Sequence, residues 1–224
     1  RDSSYTDIDS CPVAETTYYR TFGLFSGKAD GYEAESQPKE NQFAALALMA
    51  KCFGYAPGSE TWHLKEITDI TPSVLSSEEK TKLEKANINK YLTYAGSSVT
   101  IGGMVLAGEW IDVIRFRDWL KNQMQTRVFR VMKSNKKVPF LDTGISLIEG
   151  AIEATLLEGQ TVGGIAPSEY DEDGNEVPGF TVKVPRAKDF TEAERKSRKI
   201  TGFRYSAKLS GAIHLVEING YLTF

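Results

Sequence analysis

The stretch "DEDGNE", beginning at Asp171, is the part of the chain most suggestive of chemistry. Asp171, Asp173 and Asn175 alternate as oxygen donors do in the first half of a calcium loop. A helix–loop–helix calcium site also needs glycine at its sixth position and a bidentate glutamate at its twelfth. Counted from Asp171, Gly174 is fourth and Val182 twelfth, and the flanks alternate like strands. The segment therefore predicts an exposed acidic turn without a metal. His63 and His214 are the only histidines, and neither has a cysteine or second histidine at ligand spacing. His214 falls on the apolar face of an alternating segment, which predicts a structural histidine. Cys11 and Cys52 are the only cysteines and read as reduced thiols of a cytosolic protein rather than a disulfide framework. The chain contains no GxSxG elbow, no GxxxxGK[ST] phosphate loop and no GxGxxG turn. A catalytic site assembled from distant residues leaves no such trace, so a hydrolase or ligand-binding α/β domain stays open as an alternative. The expectation is no enzyme, no metal and no cofactor.

The remaining chemical signal is positive charge. Between Lys183 and Lys208, Arg195, Lys196, Arg198 and Lys199 crowd one short stretch, against Asp189, Glu192 and Glu194. Such a run forms either a solvated helix face or a patch that meets an acidic partner surface. Stacking aromatics are not interleaved with it, which disfavours nucleic acid. The whole chain has 224 residues, a net charge of −3, 41% apolar residues and 25% charged ones. That is an ordinary globular composition, with no global attraction to nucleic acid or membrane surfaces. The longest apolar run, "FAALALMA", is far too short to cross a bilayer. No signal peptide is recognisable, and the opening "RDSSYTDIDS", without Met, reads as a chain whose beginning is missing.

These residues must be positioned by helices and strands in an α+β arrangement. "TTYYRTFGLF" predicts a strand and "NQFAALALMAKCF" a helix stopped by Gly54. "SSEEKTKLEKANI" predicts a helix opened by a Ser76/Glu79 capping box. "KYLTYAG" and "SSVTIGGMVLAG" predict strands, the second turning back at Gly102 and Gly103. "EWIDVIRFRDWLKNQMQTRVFRVMKS" predicts the longest helix. Ile111, Ile114, Leu120, Met124, Val128 and Val131 lie on its inner face, with Arg115, Asp118, Lys121, Asn122 and Arg127 outside. "DTGISLIEGAIEATLLEG" predicts another helix, with Asp142 as N-cap and Gly159 as stop. "GFTVKV" and "TGFRYSAKL" predict strands on either side of a short helix capped by Thr191 and Glu194. "GAIHLVEINGYLTF" predicts a last strand, with Ala212, His214, Val216, Ile218, Leu222 and Phe224 on one face.

In order, these segments resemble the tail sheath proteins of contractile bacteriophages and of phage-like R-type bacteriocins. The resemblance is carried by "PGSETWHLKEITDITPS", by "LEKANINKYLT" with Asn87 and Asn89, by "GEWIDVIRFRDWLKNQMQTRVF", by "LIEGAIEATLLEGQTVGGI" and by "YSAKLSGAIHLVEINGYLTF". It runs from about Thr16 to Phe224. The opening "RDSSYTDIDSCPVAET" matches nothing in it, and the family's substantial N-terminal portion is absent.

The resemblance implies a structural subunit that polymerises as stacked rings around a tail tube and contracts, without nucleotide, to drive the tube through a cell envelope. Its expected partners are further copies of itself, the tube protein, and baseplate and tail-terminator proteins. No nucleic acid and no membrane insertion are expected. Its expected place is a virion tail or phage-like particle assembled in the bacterial cytoplasm; a tube or baseplate component is the neighbouring alternative. The implied organisation is residues 1–72 as the C-terminal part of an α/β domain and residues 73–224 as a C-terminal core domain of long helices packed on a sheet. The terminal strand, Ala212 to Phe224, is then expected in an intersubunit sheet; a central strand of its own chain is the alternative. Two basic sets compete for the tube: Arg115, Lys121 and Arg127 on the long helix, and Arg195, Lys196, Arg198 and Lys199 on the short one. One test needs only the sequence: isothermal titration of calcium into the protein is expected to detect no binding tighter than about millimolar at "DEDGNE".

Overall fold

The computed structural model describes residues 16–33 and 36–220. Their fold is α+β, in two compact units. The first comprises the described residues within Arg1–Ala56, Glu60–Ile114 and Gly211–Phe224; the second comprises Pro57–Ser59 and Arg115–Ser210. The packing border therefore lies elsewhere than the expected 72/73. The reason is a shared core: Trp62, Ile67 and Ile70 pack in one cluster with Tyr91, Val105, Ile111 and Ile114. A cut at residue 72 would expose both halves of that cluster to water.

In the first unit, β1 (Gly23–Phe25) is followed by α1 (Ala44–Phe53), α2 (Ser77–Lys85), β2 (Ile88–Tyr94) and β3 (Ser97–Ile101). The sheet order is β1-β2-β3. β1 runs parallel to β2, with Gly23 opposite Ile88, and the helices form the crossover that a parallel pair requires. β1 is shorter than the strand expected over Thr16–Phe25. Its partner begins only at Ile88, preceded by Asn87 at φ +54°, so Thr16–Phe22 have no ladder to join. β2 and β3 pair antiparallel, and their turn is Ala95–Gly96, at φ +50° and +85°. Two left-handed residues match the twist of the strands they join. The expected turn at Gly102–Gly103 is therefore corrected: those glycines carry the chain away from the end of β3.

α2 opens as its sequence predicts. Ser76 Oγ accepts from Glu79 N at 3.3 Å, and Glu79 Oε2 accepts from Ser76 N at 2.9 Å. Lys28 bonds the same carboxylate and, with the Ser76 main chain, holds its pKa below the usual range. Several polar groups buried in this unit are paired. Tyr91 donates to Ile67 O at 3.0 Å and accepts from Ile67 N at 3.1 Å. Lys90, buried in the central strand, pairs with Glu84.

The main polar junction is Asn89, also in β2 and buried. Its Nδ2 donates to Gly23 O and Met104 O, both at 2.8 Å; its Oδ1 accepts from Met104 N at 2.9 Å and from Gly103 N. That uses the full capacity of a carboxamide. A side chain at Gly102, at φ +121°, would collide with this amide.

The second unit is organised by α3 (Ile111–Ser134), whose first turn belongs to the first unit, and by α4 (Asp142–Thr161). β4 (Glu169–Tyr170) pairs with β5 (Glu176–Val177), and β6 (Phe180–Lys183) with β7 (Arg204–Ala207), both antiparallel. α5 (Glu192–Lys196) lies between β6 and β7 in sequence. It carries the predicted capping box, with Glu194 Oε2 accepting from Thr191 N at 2.8 Å. The core joins Phe116 and Leu120 to Ile148, Ile152, Leu156 and Ile165. Met124, Val128, Phe180, Val182, Phe203 and Ala207 pack against it. The long helices thus lie against the β6–β7 sheet, as the sheath resemblance implied.

Three local expectations in α3 and α4 are corrected. Arg115, Asp118 and Arg127 are half-buried rather than outward, whereas Lys121 and Asn122 are exposed. Leu141, not Asp142, precedes the first turn of α4; Asp142 Oδ1 instead accepts from Ala187 N at 2.7 Å and holds the short turn Ala187–Asp189. Gly159 is not a stop. It is buried inside α4, where a larger residue would press into Ile165 and Phe116, and the helix continues to Thr161 before turning at Gly163, φ +87°.

Replacing Asn89 with Leu would strand Gly103 N, Met104 N and the Gly23 carbonyl without this partner. Each buried unsatisfied group costs about 1–3 kcal/mol, so the expected loss is at least about 3 kcal/mol in urea unfolding.

Candidate assembly surface

The expected last strand is the first place to test a surface for assembly. Residues 211–220 contain no helix or strand; the last regular element is β7, followed by a bridge between Ile165 and Leu209. The alternation of side chains remains legible, but a strand exists only where a second chain segment supplies hydrogen bonds. The alternative of a central strand in its own chain is thereby corrected over these residues. Leu222 and Phe224 lie outside the described residues.

This segment instead runs as an extended arm from Gly211, at φ +68°. Ile213, Leu215, Val216 and Ile218 are 83%, 76%, 68% and 88% exposed. Ala212 is exposed too, so both faces of the arm meet solvent. Four apolar side chains at that exposure on one short segment are of the kind that marks an interaction site.

His214 is the arm's half-buried residue. Its ring stacks on His63 with centroids 4.5 Å apart and planes 20° apart, and it meets Trp110 edge-on, also at 4.5 Å. Its Nε2 lies 2.8 Å from Thr61 Oγ1. His63 is itself oriented by Gly102, whose N and O lie 3.1 and 3.2 Å from Nδ1. Burial and, next, the charge of His214 lower the pKa of His63. Burial raises that of Asp112, at the start of α3. Sequence reasoning placed His214 on an apolar strand face and missed this cluster. Its members are separated by up to 153 positions, and no local spacing could have joined them.

The two basic sets fare differently. Arg127 is paired with Glu158 of α4, and Arg115 is engaged by a partner of its own. Lys121 alone of that set is exposed. On α5 and the residues after it, Arg195, Lys196, Arg198 and Lys199 are all exposed. Arg195 reaches back to cap Ala187 O at 2.5 Å, and Lys196 pairs with Glu192 at 2.8 Å across one helical turn. An exposed pair of this kind is worth well under about 1 kcal/mol, so it leaves the cations available to a partner. "DEDGNE" forms the β4–β5 turn. Asp171 Oδ1 accepts from Asp173 N at 3.0 Å and Asn175 N at 2.7 Å, and the Asn175 main chain is the first cause of its lowered pKa. The Asp171 carboxylate is thus engaged within the turn. Among the described residues no cluster of three or more His, Cys, Asp or Glu could hold a metal, and no helix is long and apolar enough to cross a membrane.

Residues 111–221 match the family "E217 tail sheath protein gp31-like, C-terminal domain". Over this segment, just under half of its length, the chain is similar to the C-terminal domain of tail sheath proteins. Two solved structures share its fold. The sheath complex of an extracellular contractile injection system, PVC, in the contracted state has a TM-score of 0.65 and 12% identity, over 92% of this chain and 57% of that one. The anti-feeding prophage baseplate has a TM-score of 0.59 and 14% identity, over 79% of this chain and 48% of that one. The chain therefore spans about half the length of these relatives. No curated protein matches it.

The basic sets separate experimentally. Arg127→Ala is expected to lower stability by no more than about 1 kcal/mol in thermal melts, because its pair is partly solvated. Lys121→Glu should leave the melting temperature unchanged.

Proposed function

We propose that the protein is a structural subunit of a contractile tail sheath that polymerises around a tail tube and shortens to drive the tube through a cell envelope. The observation that carries this reading is the match of residues 111–221 to a tail sheath C-terminal domain. The fold shared with a contractile injection system sheath supports it. The role is structural rather than enzymatic, and its setting is a phage tail or phage-like particle assembled in the bacterial cytoplasm. Baseplate and tail-terminator proteins are the partners at the ends of the tube. A baseplate component is the second reading, favoured by the likeness to the anti-feeding prophage baseplate.

In the proposed lattice the arm from Ala212 to Phe224 completes a β-sheet with a neighbouring subunit. Among the described residues β6 and β7 pair only with each other, so the sheet has room for further strands. Main-chain hydrogen bonds would supply the pairing, and His214, Val216, Ile218, Leu222 and Phe224 its register. Fully burying an aliphatic or aromatic side chain is worth about 1.5–3 kcal/mol, so Val216, Ile218, Leu222 and Phe224 together supply about 6–12. Association itself costs about 4–15 kcal/mol, so a single arm binds marginally. A ring of arms binds avidly, because each later contact forms at high effective concentration. The exposed Arg195, Lys196, Arg198 and Lys199 are the better candidates for the tube, since Arg115 and Arg127 are half-buried.

Electron microscopy of the concentrated protein tests this reading. Tubes or stacked rings are expected, and deletion from Asn219 onward should abolish them while leaving a folded, soluble subunit. Dispersed particles at every concentration would count against the sheath; unfolding on truncation would place the arm in its own subunit's core.

A further inference from the structure

The arm is apolar and exposed along its length, yet it is fastened to its own subunit at one residue whose charge can change. His214 sits with Thr61, His63 and Trp110, and all four belong to the first unit. The two imidazole rings lie nearly parallel at 4.5 Å. Neutral rings stack favourably at such a separation. Two imidazolium ions there would repel, since neither is more than partly solvated.

The charged and titratable groups around the pair come from two places. Lys65 lies in the loop that carries His63, and its charge disfavours a proton on His63. Asp112, in the first turn of α3, is half-buried; its Oδ1 is buried with no hydrogen-bond partner among the described residues, and it interacts with the charge of His214. The end of β3 offers only main chain, through Gly102. A proton on His214 is therefore balanced by Asp112, whereas a proton on His63 faces Lys65 and His214. We propose that the His63–His214 stack is a proton-operated latch, which tolerates one proton on the pair and releases the C-terminal arm for pairing elsewhere when the second arrives.

The sign follows from linkage. Burial first, and the neighbouring His214 second, hold His63 below the ordinary histidine value, against main-chain hydrogen bonds to Gly102 and His214 that act the other way. Release uncovers His63 and removes the facing imidazole, the two causes that disfavour its proton, so the docked state binds fewer protons at His63 than the released one. Docking is complete above about pH 6.5, the value for a free histidine, and is lost as the pH falls through the lower docked value. This latch goes beyond the sheath reading and is measured on the dilute single subunit, so failure to polymerise leaves its test intact.

With only two histidines, the imidazole NMR signals of the full chain are assigned by single substitution. At pH 8 the ring protons of His214 should be displaced by the currents of Trp110 and His63. Between pH 7 and 5 they should move to free-peptide positions, together with the titration of His63. His63→Phe keeps an aromatic face but carries no proton, so the displacement should persist at pH 5. Asp112→Asn removes the balancing charge and should raise the pH of release. Displacement that persists at pH 5 in the unaltered chain would overturn the latch, as would loss of displacement over the same range in His63→Phe. Should that variant fail to fold, the unaltered chain decides: a His63 midpoint below about 6.5 supports the latch and one at or above it refutes it.

Discussion

The first unit depends on the hydrogen bonds of one carboxamide. Asn89 joins β1 through Gly23, sits in β2, and binds the main chain of Gly103 and Met104 where the polypeptide leaves β3. Each of these main-chain groups would otherwise be buried without its partner, at a cost comparable with a sizeable fraction of a domain's net stability. The constraint propagates along the chain. Holding Gly103 in place sets Ile111, whose N donates to Gly103 O at 2.9 Å, and so sets the first turn of α3. The same segment orients Gly102 against His63, which means that the arm's docking residue rests on the structure that Asn89 organises.

The second unit rests on packing rather than on a polar junction. Phe116 is buried between α3 and α4, and a side chain at Gly164 would be driven into its ring. Such close approach leaves little freedom to shift one layer without the others, because interiors are packed like crystals. In the proposed sheath, a subunit that keeps its shape while the lattice rearranges would benefit from that rigidity. Packed cores move as bodies, and the motion concentrates in extended connections. The arm from Gly211 has the properties of such a connection, since it lacks hydrogen-bonded structure of its own and exposes its apolar side chains.

Charge is distributed in keeping with this division. Some cations are consumed locally, Arg127 by Glu158 between the long helices and Lys90 of β2 by Glu84. Those of α5 and the residues after it remain at the surface, with Glu192 as a solvated and therefore weak partner of Lys196. Lys121, Arg198 and Lys199 are likewise exposed at the surface.

Elements governed by local interactions were legible in the sequence. The capping boxes at Ser76 and Thr191, the span of α3, and the acidic turn at Asp171 each arise from residues within a few positions of one another, whose backbone groups must be satisfied on the spot. The core positions Ile111, Ile114 and Leu120 were legible too, because helical periodicity records which face is buried. What tertiary structure decided were matters of partnership. The alternation from Ala212 onward describes a strand, but residues 212–220 have no partner segment and stay an arm. Asp142 and Gly159 carry the chemistry of helix ends, but one was recruited by Ala187 and the other by the close approach of Phe116 and Ile165. The meeting of His63, Trp110 and His214 has no trace in spacing at all. Long-range contacts are chosen by the fold as a whole, and a linear sequence records only each residue's capacity to make them.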